Sequence, residues 1–197
     1  MVAVPATLPP FVARVERVTA ADLPFSWHSG CPVGPAQLRR LRLSYVGFDG
    51  KRHLGALVIN ARVVPQVVVV FRTLYRARFP IRRMEPVDAY HGSDDSSAAA
   101  DNTSAFNCRA AVTAGPKSWS MHAFGEAIDV NDVENPYLEG ARVIPPAGKA
   151  YVDRSKVRPG MAVAGGVLVR AFASVGWGWG GYFAGTPDYQ HFSTNGR

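Results

Sequence analysis

The sequence predicts an α+β fold, a single domain with a small antiparallel sheet flanked by helices. Three observations predict it: two strand-like runs joined by an Asp-Gly turn, a long stretch of helical apolar spacing directly after them, and a shorter amphipathic segment near the C-terminus.

Residues 1–24 are rich in proline and show little periodicity, so they read as an extended N-terminal lead-in to a domain that spans 25–197. Leu41 to Val46 and Leu54 to Ile59 read as strands of a hairpin, because Asp49-Gly50 between them is a strong turn signal. In Asn60 to Phe79, Pro65 suits a first helical turn, and Val67, Val70, Phe71, Leu74 and Arg78 recur at helical spacing. The valine run could argue for a strand, but length and recurrence favour a helix packed on the sheet. Gly92 to Asn102 is small and polar and reads as a surface loop. Ala127 to Val130 and Trp177 to Trp179 read as short strands. Gly166 to Val175 reads as a helix with Leu168, Phe172 and Val175 on one face and Gly176 as its stop.

At 197 residues and 47% hydrophobic composition the chain can bury one sizeable core, and 19% charged residues are too few for a disordered protein. A net charge of +7 implies attraction to polyanions. Its densest basic groups, Arg39, Arg40 and Arg42 with Arg76, Arg78, Arg82 and Arg83, lack interleaved aromatics for base stacking, so they read as a solvated face and no nucleic-acid partner is expected. No apolar run reaches the roughly 18 residues of a membrane span. Met1 to Pro10 has neither the basic start nor the apolar stretch of a signal peptide. Cys31 and Cys108 are either one disulfide or two buried thiols; a bridge would contribute roughly 3–4 kcal/mol in an oxidising compartment.

Two of the five histidines sit in unusual company. His122 and Asp129 share one short segment, Ser120 to Asp129, with Gly125 between them to turn the backbone. Asp188 and His191 share a second. Catalytic zinc sites commonly take three ligands from His, Asp and Glu and set a further carboxylate beside the reacting water. His28, His53 and His91 have no carboxylate at motif spacing, Glu126 reads as exposed, and Trp177 and Trp179 read as core and cleft-wall residues.

The pattern S-x-H-x-x-G-x-A-x-D over Ser120 to Asp129, followed by D-x-x-H over Asp188 to His191, resembles the M15 zinc peptidases. Asp101 to Arg109 (DNTSAFNCR) and Asp188 to Ser193 (DYQHFS) resemble its D-alanyl-D-alanine carboxypeptidase-like branch, and the likeness covers about Ser26 to Ser193. The resemblance implies the fold shared by Hedgehog-type domains and these peptidases, Zn2+ held by His122, Asp129 and His191, and Asp188 as general base. It also implies an oxyanion-stabilising arginine, for which Arg109 stands first and Arg82, Arg83 and Arg142 remain alternatives. Ser120 is implied to support the site or touch substrate. The implied activity is cleavage of an amide bond in peptidoglycan stem peptides by a secreted or cell-wall-associated, monomeric enzyme. D-alanyl-D-alanine carboxypeptidase stands first; the alternatives are an L-alanyl-D-glutamate endopeptidase and a non-catalytic zinc-bearing wall-binding module. Two positions depart from the branch: Tyr182 stands where an acidic residue follows Trp-Gly-Gly, and Gly165-Gly166 where an Asp caps the last helix.

Overall fold

Gly50, with φ +72°, and the Asp49 carboxylate, which accepts the Lys51 N–H at 3.0 Å, turn the chain between β2 (Leu38–Val46) and β3 (Arg52–Asn60). The computed structural model describes residues 7–111 and 118–196. The hairpin pairs in register from Leu38 opposite Asn60 to Val46 opposite Arg52. Within the expected lead-in, β1 (Ala13–Arg17) adds an antiparallel edge to β2, and Leu23 is fully buried. Residues 1–6 of that lead-in and Arg197 lie outside the described residues.

After β3 the Asn60 side chain accepts the Arg62 N–H and opens a 3-10 turn that runs into α1 (Val64–Arg76). Val67, Val70, Phe71 and Leu74 are buried, as their spacing predicts. Arg78 is not on that face: the helix ends at Arg76, and Arg78 adopts φ +53° in the turn beyond it.

The stretch 92–102 is not the expected surface loop. Ser93 Oγ accepts the Ser96 N–H at 3.1 Å and starts α2 (Asp94–Ala99), whose Ser97 and Ala98 are buried. Asn102 behind it is fully buried and donates to Glu85 O and Ser97 Oγ. Small polar side chains suit a loop, but a Ser cap followed by alanines also suits a helix packed close to its neighbours.

The remaining strands, β4 (Ala127–Asp129), β5 (Tyr137–Glu139), β6 (Arg142–Ile144), β7 (Gly178–Trp179) and β8 (His191–Ser193), are short. They form a sheet of order β4-β8-β7 and a separate β5-β6 hairpin, both antiparallel, so among the described residues the fold is α+β with three small sheets rather than one. α3 (Val167–Ala173) begins at Gly166 with no side-chain cap and stops before Gly176, where Trp177 N–H donates to Phe172 O. Among the described residues no helix is long and apolar enough to cross a membrane.

One core joins these layers: Leu41, Leu43, Leu57 and Ile59 of the first sheet, the buried face of α1, Leu168 and Phe172 of α3, and Ile128 and Phe192 of the second sheet. Phe172 stacks on Phe192 with ring centroids 4.1 Å apart, fixing α3 to the second sheet. A smaller cluster, including Leu23, Leu38 and Phe106, lies beside the Cys31–Cys108 disulfide, which closes a separation of 77 residues. Of the basic residues, Arg42, Arg76, Arg78, Arg82 and Arg83 are exposed and Arg39 and Arg40 half-buried, and several are paired. Arg40 pairs with Asp22, Arg42 with Glu16, and the Arg82 guanidinium binds Asp101 while lying 3.9 Å from the centre of the Phe48 ring.

Phe172→Ala is expected to lower stability by about 3–5 kcal/mol, because the space it fills lies between α1, α3 and the second sheet and cannot collapse. Urea denaturation followed by tryptophan fluorescence checks this; a loss under about 1 kcal/mol would mean that the ring does not tie the layers together.

Candidate functional site

The second sheet delivers two of the singled-out side chains by register. Asp129 of β4 stands opposite His191 of β8, and their neighbours Ile128 and Phe192 point the other way into the core. His122 arrives on a 3-10 turn, Met121–Phe124, that ends at Gly125 with φ +67°. A Cβ on Gly125 would stand 2.6 Å from the Asn60 nitrogen, so this position needs glycine both for its backbone angle and for close approach to β3.

The three side chains converge. His122 Nε2 is 3.1 Å from Asp129 Oδ2 and 3.2 Å from His191 Nδ1, which is itself 3.2 Å from Asp129 Oδ1. All three are buried. His122 Nδ1 lies 2.5 Å from the Ala105 carbonyl oxygen, which only an N–H can satisfy, so a neutral ring presents an unprotonated Nε2 to the cluster. Burial opposes ionisation of Asp129, but the adjoining imidazoles of His122 and His191 outweigh it and hold the carboxyl well below its ordinary range. One ligand atom from each residue lies within 4.8 Å of the others, a donor set that could hold a metal ion. Among the described residues the other close group of this type, His28 with Cys31 and Cys108, has both its sulfurs in the disulfide.

Asp188 lies on the same cavity wall, with Oδ1 buried and without a hydrogen-bond partner. Burial pushes its carboxyl up to about 6; His191 opposes this, and the Asp129 charge adds to it. The cavity measures about 1130 Å³ and is bounded by α2, the His122 turn, the β5-β6 hairpin and the approach to β8.

Of the four arginines considered, only Arg109 and Arg142 line this cavity. Arg82 is held by Asp101 and Glu134, and Arg83 lies beside Glu85. Arg109 forms a close ion pair with Asp94, whose other oxygen accepts the Asn107 side-chain N–H at 2.7 Å. Ser120 lines the cavity, but its Oγ accepts the His122 N–H at 3.2 Å and so caps the turn that carries the histidine. His28, His53 and His91 do not line the cavity, in keeping with their sequence reading.

Glu126 is not exposed: only 2% of it is accessible. Its carboxylate forms a close ion pair with Arg62 and accepts the Thr194 hydroxyl, tying the His122 turn to the end of β8. Trp177 and Trp179 are core residues, whereas the partly exposed Trp119 lines the cavity. Sequence reasoning also missed Asp94 and Asp132 in the cavity wall. The first turn of an unrecognised helix hid Asp94, and no local pattern marks Asp132.

Comparison with known proteins bears on this arrangement. Residues 113–194 match the M15 peptidase family model described as D-alanyl-D-alanine carboxypeptidase. The match supports a peptidase similar to the M15 family over this stretch. The M15 match contains the His122 turn, β4, the cavity's β5-β6 wall and β8, while Asp94 and Arg109 lie N-terminal to it. No curated protein and no solved structure matches this chain.

Gly125→Ala is expected to cost roughly 1–3 kcal/mol and to weaken metal binding, because the strained turn moves His122 away from Asp129 and His191. Thermal unfolding and metal titration of the two proteins check this; unchanged metal affinity would separate the turn from the site.

Proposed function

We propose that this chain is a zinc-dependent peptidase hydrolysing an amide bond in peptidoglycan stem peptides, first of all as a D-alanyl-D-alanine carboxypeptidase. The observation that carries this is the buried His122, Asp129 and His191 group with Asp188 beside it in one cavity, within the stretch that matches the M15 family. Two imidazoles and one carboxylate are the donor types of hydrolytic zinc sites, and the inward Nε2 of His122 suits a ligand. Zinc in such a set supplies Lewis acidity, which polarises a scissile carbonyl and acidifies water.

The chain's own groups do the rest. Asp188 Oδ1, unpartnered in the cavity wall, accepts the proton of the attacking water and returns it to the leaving amine nitrogen. A carboxyl pushed up to about 6 is ionised near neutral pH yet basic enough for that transfer. Arg109, held in place by Asp94, is the cation assigned to the oxyanion that develops on the carbonyl. Ser120 keeps His122 in position.

A wall-binding module has no need of a buried carboxylate beside its metal, and Asp188 therefore favours catalysis. Cleavage inside the stem has one observation in its favour. The cavity, about 1130 Å³, exceeds the range of about 300–1,000 Å³ common for small-ligand sites and has room for several peptide residues. The disulfide suits an exported protein, secreted or held at the wall.

His122→Ala and His191→Ala are expected to lose zinc by elemental analysis. Asp188→Asn should keep zinc and the fold but lose turnover on stem peptides by about a hundredfold or more. Mass spectrometry of digested muropeptides identifies the bond cut. Full zinc content in both histidine variants would place the metal elsewhere, and an Asp188→Asn protein as fast as the parent would remove Asp188 from the chemistry.

A further inference from the structure

Among the described residues Asp132 is the one buried carboxylate of the cavity that the proposed chemistry leaves without a task. It is 3% accessible, lines the cavity together with Asp95 of α2, and has a buried Oδ1 without a hydrogen-bond partner. Burial, reinforced by Asp129, Asp101, Asp188 and Asp94, pushes its carboxyl well above the ordinary range, so by itself it gains nothing from ionising. A buried carboxyl oxygen without a partner is costly, and such groups persist where something outside the chain satisfies them.

The surroundings decide what that is. The Asp94 carboxylate is taken up by Arg109 and Asn107, and Asp129 by the two imidazoles. Among the described residues Asp132 joins no group of three close ligand atoms, which argues against a second metal ion. A primary ammonium needs less: one buried carboxylate to receive an N–H, a further negative charge nearby, and polar surface such as the α2 wall provides. Asp188 and Asp94 are negative charges that act on Asp132 from the same cavity lining, and Asp95, exposed on α2, adds a further one to that lining.

Resting on the reading of this cavity as a stem-peptide site, we infer that Asp132, assisted by Asp95, binds a primary ammonium group of the substrate. In a stem peptide the diamino acid side chain offers that group within the chain, and a free N-terminus offers it at the end. Arrival of the ammonium gives Asp132 Oδ1 its missing donor and makes its ionised form favourable. The cavity thereby selects peptides with a cationic residue, although no part of the reaction needs that charge.

Isothermal titration of the full chain and of Asp132→Asn tests this with three probes. They are an N-acetylated stem peptide containing lysine, the same peptide with norleucine in place of lysine, and the norleucine peptide with a free N-terminus. The parent protein is expected to bind the lysine peptide at least about tenfold more tightly than its norleucine counterpart, and Asp132→Asn to bind the two alike. Tight binding of the free-N-terminus probe alone, abolished in Asp132→Asn, would keep the ammonium site and assign it to the peptide's end. Equal affinity of the parent protein for all three probes would overturn the inference without need of a variant, and so would discrimination that survives in Asp132→Asn. Hydrolysis is followed in parallel: discrimination in binding with no bond cut overturns the peptidase reading alone, and cleavage with no discrimination overturns the ammonium site alone.

Discussion

Everything at the site depends on the register between β4 and β8. Asp129 opposite His191 and Ile128 opposite Phe192 are alternate pairs on one short ladder, so the same pairing that seats two side chains in the core aims the next two at the cavity. A slip of one residue would exchange them, burying a carboxylate among α1 and α3 and exposing Phe192. The stacking of Phe172 on Phe192 therefore does more than fill space. It makes the correct register the one with the dry core, and the ligand geometry follows from hydrophobic packing.

Charge in the cavity is partitioned by environment rather than by residue type. Asp129 stands between two imidazoles and is held ionised; Asp188, buried without a partner, is held up to about 6; Asp132, deeper among like charges, is raised further. Three aspartates in one cavity thus have three different proton affinities, and each suits a different task. In the proposed reading the first is a ligand and the second a base. The third suits a group that ionises only when a cation arrives.

What the sequence disclosed follows from how local each signal is. The Asp49-Gly50 turn, the spacing of Val67, Val70, Phe71 and Leu74, and the two His/Asp segments each carry their pattern within about ten residues, and the fold forms the turn and the helix and brings His122, Asp129 and His191 together. Glu126 was misjudged because its partners, Arg62 and Thr194, lie more than sixty residues away in the chain on either side. Stretch 92–102 was misjudged because a Ser cap followed by alanines resembles a loop until its packing surface is known. β1 is an edge strand whose partner lies past a long connection, so its alternation was hidden among prolines. Arg109 is singled out through likeness alone, and the carboxylate that pairs with it, Asp94, belongs to the helix that the sequence did not reveal.

The segment from Ser104 to Arg109 explains why residues so far apart hold one geometry. Ser104 exchanges backbone hydrogen bonds with Asp129, and the Ala105 carbonyl receives His122 Nδ1–H. Phe106 N–H donates to Val58, Asn107 N–H to His122 O, Cys108 N–H to Ser26 O, and Arg109 O accepts from Ser120. The strap therefore bonds in turn to β4, to the histidine turn, to the first sheet and to the N-terminal segment, and the disulfide to Cys31 fastens its far end. Its two halves differ in what they secure. The side facing His122, Asp129 and His191 is fixed by hydrogen bonds at Ser104 and Ala105, upstream of the bridge, whereas Arg109 directly follows Cys108 and pairs with Asp94. Covalent fastening thus falls directly before Arg109, where the strap reaches the cavity wall and Cys108 packs against the smaller cluster. The His122, Asp129 and His191 group is held instead by the β4–β8 pairing and by the Ala105 carbonyl, with Ile128 and Phe192 anchored in the core behind it.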